Sequence, residues 1–490
     1  MHEHPDNGDP KQPTLDPTDW DAFRALAHRM LDQAIDHVRE VGDKPVWTPM
    51  PEPVKQRLNE QLPVEAQGAE KASEELVELI LPFGTGNTHP RFFGWVHGSG
   101  TPGGIIAEMF SAALNANLGG RDHGAIYVER QIIDWCRQLF GFPETSSGLI
   151  VSGTSIATLI ALTTARDAKA GYEVRKVGVQ SFDQRLVGYA SEQAHSCIAR
   201  TFDLIGLGQD SVRAVPVDAS YCMDLGALRE AIEQDKRDGN RPFCVVGSAG
   251  TVNVGSIDDL SGISKIAQEH DLWFHIDGAF GALGVLSDEL RPQLTGIEQA
   301  DSLAFDFHKW MHVSYDAGFA LLRDNDLHRR SFTLRREYLE GANRGLAAGN
   351  PWFCEYGPEL SRSFRALKVW FLLKEHGLQR IGDMISKNCR QAKYLASLVS
   401  GHENLELLAP VAMNIVCFGF VAPGKTRSEL NELNENIVFE LQEQGIAAPS
   451  TTKLGGVLAI RVNITNHRSQ TSDFDRLIDA SIEIGHMLVG

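Results

Sequence analysis

Asp301-Ser-Leu-Ala-Phe-Asp-Phe-His-Lys-Trp310 decides how the rest of the chain is read. The apolar run from Ser302 to Phe307 predicts a buried strand, and the strand ends in a His-Lys-Trp corner. Lys309 therefore stands at a strand terminus and not on a solvated helix face. A second stretch, Leu272-Trp-Phe-His-Ile-Asp277-Gly-Ala-Phe-Gly281, repeats the arrangement upstream. It is another apolar strand, closed by an aspartate and small residues. An amine and a carboxylate thus end successive strands.

The pattern around these stretches, from about Gly148 to Leu322, alternates short β-rich runs with helices. Strands are expected at Leu149–Ser152, Leu186–Ala190, Phe243–Gly247 and Phe319–Leu322, and helices at Ser155–Lys169 and Ala194–Leu204. Alternation of this kind, with nearly continuous apolar strands, predicts an α/β fold with a mostly parallel sheet covered on both faces. Ligands in such folds bind beyond the strand carboxyl ends, where Asp277 and Lys309 fall. Further on, Asp324–Arg336 is charged and reads as a helix. Tyr338–Pro358 is rich in Gly, Ala, Asn and Pro, and a long irregular segment of this sort usually carries function. An amphipathic helix over Ser361–His376 closes at Gly377. From Ser386 a helix, strands near Asn414–Phe420 and Val457–Asn463, and a final helix from Ser472 predict a small α+β unit.

The N-terminal part reads differently. Residues 1–17 have few apolar positions and are expected to be a disordered tail. Thr18 and Asp19 are N-cap candidates for a helix whose apolar positions Phe23, Leu26, Met30, Ala34 and Val38 recur at helical spacing. A proline-rich run over 45–51 and a helix over 69–81 follow. The expected domains are the tail at 1–17, a helical arm at 18–95 that packs on another surface such as a second subunit, a large domain at 96–385 and a small one at 386–490.

Composition excludes several classes of function. The 490 residues carry a formal net charge of -18 with no basic stripe, which argues against nucleic acid and anionic membrane partners. No apolar run approaches the ~20 residues of a spanning helix. The polar, acidic start Met1-His-Glu-His lacks a secretory pattern, and a cytoplasmic location is expected. Seven scattered cysteines with no C-x-x-C pair suggest reduced thiols, and the absence of ligand spacing makes a metal site an unlikely reading.

The strand-end lysine and aspartate invite one chemistry: a pyridoxal phosphate held as a Schiff base on Lys309, its ring nitrogen kept protonated by Asp277. Each residue also has a plainer reading. Asp277 suits a helix N-cap, Lys309 a surface amine and His195 a solvated imidazole. Ser152-Gly153-Thr154-Ser155 lies between a strand and a helix, where hydroxyls and free N–H groups suit a phosphate but where Ser and Thr are also ordinary caps. Trp95 and His97, in the aromatic and glycine-rich stretch His89–Pro102, suit either a cavity wall or a domain junction.

Taken together, the motifs resemble those of the group II pyridoxal-phosphate decarboxylases, which include the aromatic-L-amino-acid, histidine and diaminobutyrate decarboxylases. The resemblance rests on Ser191-Glu-Gln-Ala-His195, Gly250-Thr251, His275-Ile-Asp277-Gly-Ala-Phe280, Ala300-Asp-Ser302, His308-Lys-Trp310 and Ser361–Trp370, in family order. It implies an aspartate-aminotransferase-type fold (fold type I) and a homodimer with its active site at the interface. It implies catalytic roles for Lys309, Asp277, His195 and Tyr338, with Tyr338 returning a proton to the substrate Cα after carbon dioxide leaves. It gives His195 and Ala279 the two faces of the cofactor ring. Thr154, Ser155, Asp306 and His308 become phosphate contacts, Thr251 a further cofactor contact, and Trp95 and His97 substrate contacts.

Four departures from the family pattern stand out. Val252 replaces a frequent second threonine, Asp306 replaces a frequent asparagine, the Gly- and Ala-rich loop over 341–349 does not match the aromatic-acid enzymes closely, and His97 stands where those enzymes tend to have proline. The implied reaction converts an aromatic or bulky L-amino acid into its amine. An aldehyde synthase or an aminotransferase is the first alternative, and a catalytically silent binding protein the second.

Overall fold

The structure is a computed structural model that describes residues 14–334 and 342–490. Most of the expected tail and the whole Glu337-Tyr-Leu339 stretch lie outside the described residues, Tyr338 among them. The chain divides into two compact units, one of residues 1–44 and 48–84, the other of residues 45–47 and 85–490.

The first unit is helical, with α1 (Trp20–Arg39), α2 (Glu52–Arg57) and α3 (Ala69–Glu75). Asp19 begins α1 by accepting the Asp21 and Ala22 N–H groups, which satisfies two donors that a helix start leaves orphaned. An Arg29–Glu70 pair at 2.6 Å ties α1 to α3. Leu26 is buried, while Trp20 and Phe23 stay exposed.

The second unit holds two sheets. The larger has seven strands: β2 (Ser147–Val151), β3 (Leu186–Ser191), β4 (Val212–Val215), β5 (Arg241–Ser248), β6 (Trp273–Asp277), β7 (Ser302–Asp306) and β8 (Gly318–Leu322). Their order is β2-β8-β7-β6-β5-β3-β4. Pairing is parallel from β4 through β7, and only β8 runs antiparallel to its neighbours. The expected largely parallel sheet is present. Its central strands are buried along their full length because helices cover both faces. Phe305 packs against Phe140, Phe307 and Phe319 with ring centroids 4.9–5.4 Å apart. Each such pair adds about 0.5–1.5 kcal/mol beyond area burial, and the cluster fixes the strand that carries the His-Lys-Trp corner.

The helices of this unit are α4 (Pro102–Leu114), α5 (Gly124–Leu139), α6 (Thr154–Ala170), α7 (Val174–Val177), α8 (Cys197–Leu204), α9 (Leu225–Arg237), α10 (Leu260–Glu269), α11 (Asn325–Phe332), α12 (Arg365–Ser400), α13 (Arg427–Glu443) and α14 (Thr471–Val489). The 385/386 boundary expected from sequence falls inside α12. That helix changes direction earlier, at Gly377, whose φ of 68° is one glycine tolerates. The smaller sheet comprises β1 (Phe92–Phe93), β9 (Leu405–Leu407), β10 (Ile415–Phe420), β11 (Ala448–Leu454) and β12 (Val457–Asn463), in the order β1-β11-β12-β10-β9. β1 falls within the stretch read as a helical arm, yet it pairs in parallel with β11, Phe92 opposite Ala448.

The Ser361–Trp370 motif proves structural at Arg362. This side chain is fully buried, pairs with Glu129 at 2.5 Å and donates to the Ile150 carbonyl. Glu129 in turn accepts the Ile150 N–H. This buried pair holds β2 in place even though the Arg362 Nε–H finds no partner among the described residues, and removing either member would leave a charge stranded.

Candidate active site

The parallel register brings the carboxyl ends of β5, β6 and β7 to one edge, with Ser248 opposite Asp277 and Asp277 opposite Ala304. At that edge lies a cavity of about 540 Å³. Every site residue expected from sequence and described in the structure lines it: Trp95, His97, Thr154, Ser155, His195, Thr251, Asp277, Ala279, Asp306, His308 and Lys309.

Asp277 is buried, and its Oδ1 accepts the Ala279 N–H at 3.1 Å. The Cys197 thiol lies 3.9 Å from Oδ2. Burial pushes this carboxyl above the usual carboxylate range, while Lys309 and then His195 draw it back. A carboxylate so placed is stabilised by a cationic partner arriving in the cavity. The His195 Nδ1 accepts the Cys197 N–H at 3.1 Å, which leaves the proton on Nε2.

Lys309 Nζ stands 2.9 Å from Asp306 Oδ2. Burial opposes its charge most strongly, but Asp306, joined by Asp277 and Cys197, offsets it and the amine sits above its ordinary value. The other oxygen, Asp306 Oδ1, accepts the Thr154 N–H at 2.7 Å. The Asp306 carboxylate thus has both oxygens engaged, one at the start of α6 and one holding the lysine. His308 is fixed by the Ala317 backbone, 3.0 Å from Nδ1 to the carbonyl oxygen, and stacks on Tyr315 with ring centroids 4.3 Å apart.

Close backbone approach shapes the end of the cavity near α6. A Cβ on Gly318 would fall 2.4 Å from the Gly153 Cα and 2.8 Å from Asp306 Oδ1. The missing side chain of Gly318 therefore lets the turn before α6 lie against β8. The Thr154 hydroxyl in this turn is buried and has no hydrogen-bond partner. An orphaned hydroxyl at a helix start, beside exposed Ser155, is the donor set a phosphate completes. The residues present therefore fit pyridoxal phosphate at both ends, an unpaired carboxylate for the ring nitrogen and an unsatisfied turn for the phosphate. Thr251 is less free, since its hydroxyl lies 2.7 Å from the Ser256 hydroxyl and accepts the Ser256 N–H. Among the described residues no cluster of His, Cys, Asp and Glu could hold a metal ion.

Sequence reasoning missed three residues here. Tyr315 follows Lys309 by six positions without any motif, and burial pushes its phenol up to about 12. Cys197 sits two residues after His195 and looks like an ordinary helix start. Arg461 lies in β12 and reaches the site only through tertiary packing, donating to the Trp95 carbonyl at 2.8 Å and the Val252 carbonyl at 2.5 Å.

Comparison with known proteins agrees with this geometry. The family described as pyridoxal-dependent decarboxylase conserved domain matches residues 51–421. An aromatic-L-amino-acid decarboxylase of Bacillus atrophaeus is 30% identical over 457 residues, covering 92% of this chain and 93% of that protein. A phenylacetaldehyde synthase of Arabidopsis thaliana is 27% identical over 473 residues, covering 94% of each. The solved structure of Oryza sativa TDC with PLP and tryptamine superposes with a TM-score of 0.88 at 24% identity, over 97% of this chain and all of the other.

Proposed function

Because the chain belongs to the pyridoxal-dependent decarboxylases, a family of carboxy-lyases that use pyridoxal phosphate, we propose that it converts an aromatic or bulky L-amino acid into its amine and carbon dioxide. The observation that carries this reading is the facing of Lys309 and Asp277 across one cavity whose α6 turn holds an unsatisfied hydroxyl. When bound, the cofactor supplies an electron sink for the carbanion left at Cα.

The chain's own residues do the rest. Lys309 is the amine that would hold the cofactor covalently until the substrate amine takes its place. Asp277, dry and oriented by the Ala279 N–H, keeps a proton on the ring nitrogen. His195 and Ala279 bound the two ring faces. Thr154 and Ser155 bind the phosphate, and His308 with Tyr315 walls its side. Trp95 and His97 receive the substrate side chain. Burial, then Lys309, lowers the His97 pKa, so it meets substrate as a neutral imidazole. Tyr338 delivers the proton to Cα, and a tyrosine there favours the amine over the aldehyde made by such relatives as the Arabidopsis enzyme.

We further propose a homodimer in the cytoplasm. On α4, Ile106, Met109, Phe110 and Leu114 follow one another at helical spacing and are 43–61% exposed, an apolar stripe suited to a second copy. All seven cysteines are free, as a reducing compartment would keep them. The test is carbon dioxide release across the common L-amino acids and diaminobutyrate, with Lys309→Ala as the blank. Release from an aromatic substrate with stoichiometric amine supports the proposal. No release above the blank overturns it, and ammonia with hydrogen peroxide assigns the aldehyde route instead.

A further inference from the structure

Behind the Lys309 corner lies a second cavity, of about 240 Å³, bounded by the start of α4, residues 311–312, α12 and the loop after β12. Its polar lining is Thr101, His312, His376, Arg380 and His467, and Leu372, Ile381 and Met384 give it an apolar wall. Among the described residues no carboxylate lines it.

The charges around this cavity are unusual for a chain of net charge -18. Arg380 makes no ion pair among the described residues. Arg468 donates only to the carbonyls of Thr88, Ser99 and Gly100 at 3.3–3.5 Å. Lys387 donates to the His467 carbonyl at 3.2 Å. Two carboxylates come near. Glu375 lies 3.6 Å from His376 Nε2 but is turned to the first turn of α4, where a Cβ on Gly103 would fall 2.0 Å from its Oε2. Asp473 raises the basicity of Lys387 but is shared with Arg91 at 3.5 Å. Three cations gathered without matching carboxylates make a focus of positive potential that an anion would relieve.

The imidazoles point the same way. The His312 Nδ1 accepts the Ser99 N–H at 3.2 Å, so the proton resides on Nε2. That Nε2–H is buried and meets no acceptor in full hydrogen-bond geometry among the described residues, although the Thr465 carbonyl is near enough to favour its proton. His376 Nδ1 is likewise without a partner. Burial, and after it Arg468, pushes His467 down to about 4. His312 is lowered too, by burial and then by His467 and Arg468. His312 and His467 are therefore neutral in a field already positive, and His312 offers a buried donor with no partner in full hydrogen-bond geometry among the described residues.

We propose that this cavity binds a small oxyanion, a carboxylate or phosphate group on a short aliphatic arm, with Arg380 supplying the charge and His312 Nε2–H the buried donor. The site is separate from the cofactor cavity but adjoins it, because the His312 N–H donates to the Lys309 carbonyl at 3.2 Å and its ring holds Ser99, two residues beyond His97.

The experiment uses the holoenzyme at saturating pyridoxal phosphate, which keeps free phosphate out of the cofactor's own phosphate turn. Inorganic phosphate and butyrate are titrated separately at constant ionic strength while Tm is followed. The expected result is a saturable rise in Tm with at least one of the two, the better probe identifying the head group. Arg380→Gln, at an exposed position that leaves folding intact, should weaken the response about tenfold or more. Arg390→Gln, on the same helix but paired with Glu289, should retain it. The proposal is overturned if neither anion gives a saturable rise, or if Arg380→Gln responds as the unmodified enzyme does.

Discussion

Asp306 bridges the two halves of the cofactor site, with Oδ2 2.9 Å from Lys309 Nζ and Oδ1 2.7 Å from the Thr154 nitrogen. One carboxylate therefore sets the charge of the anchoring amine and the position of the phosphate turn. The two effects separate in Asp306→Asn, whose amide oxygen keeps the Thr154 bond while the charge is lost. The Lys309 amine should then fall toward neutrality, because Asp306 makes the largest contribution that offsets the cost of its burial. Attachment of pyridoxal phosphate needs the neutral amine, so the variant should attach the cofactor faster at a given pH, and the pH profile of attachment should shift downward. Stopped-flow absorbance of the apoprotein mixed with cofactor reads both. An unmoved profile would falsify the role assigned to Asp306.

The glycine pair behind that turn gives a second expectation. A Cβ at Gly318 would meet the Gly153 Cα at 2.4 Å, backbone against backbone, with no flexible side chain to give way. Gly318→Ala must push β8 away from the turn before α6. Overpacking of this kind costs about 1–3 kcal/mol, and the displaced turn would also lose phosphate contacts. Tm should fall and the cofactor dissociation constant should rise together. A lower Tm with unchanged cofactor affinity would mean that the turn does not bind the phosphate.

Much of this was legible in the chain itself, and the reasons are local. β3, β6 and β7 are buried on both faces and so read as continuous apolar runs, and His195, Asp277 and Lys309 stand at or just after their ends. The elements that escaped notice lack such a signal. β4 has four residues, only one of them buried. β11, Ala-Pro-Ser-Thr-Thr-Lys-Leu, is largely polar. β1 is two residues long and finds its partner some 350 residues later. α4 begins Pro-Gly-Gly and reads as a loop, yet Gly103 is required because Phe371 and Glu375 pack directly over it. Arg461 and Tyr315 enter the site by tertiary packing, which no spacing reports.

Acid should destabilise the protein through two buried histidines. Burial pushes His275 down to about 3 and His328 to about 4. Burial keeps His328 neutral against the Tyr356 carbonyl, 2.7 Å from Nε2, which favours its proton, while the Ser147 hydroxyl lies 2.8 Å from Nδ1. Unfolding frees both rings to take protons below their ordinary value near 6.5. The unfolded state then binds more protons than the folded one, so stability is full above pH 6.5 and falls as the pH drops toward 4. Each ring contributes a slope of up to about 1.4 kcal/mol per pH unit. Urea midpoints at pH 7.5 and pH 5 should differ accordingly, and His275→Phe should reduce the difference. Equal pH sensitivity in the variant would show that His275 is not one of the groups involved.

Arg461 supplies the last expectation. It is 3% exposed and has no carboxylate partner. Its guanidinium instead donates to the carbonyls of Trp95, Val252 and Asn253 and reaches the Ser450 hydroxyl at 3.3 Å. Burial lowers its pKa only to about 10, so it stays charged at neutral pH. This one side chain therefore holds β12 and β11 to both segments that wall the substrate end of the cavity. Arg461→Met keeps much of the volume but strands three backbone carbonyls, at about 1–3 kcal/mol for each acceptor that water does not reach. Arg461→Lys restores the charge without the fork that meets several acceptors at once. Both variants should lower Tm. Both should also raise KM by a larger factor than they lower kcat, because Trp95 and Val252 shape binding and Lys309 and Asp277 are untouched. A variant that loses kcat while KM holds would place Arg461 in the chemistry and not in the wall.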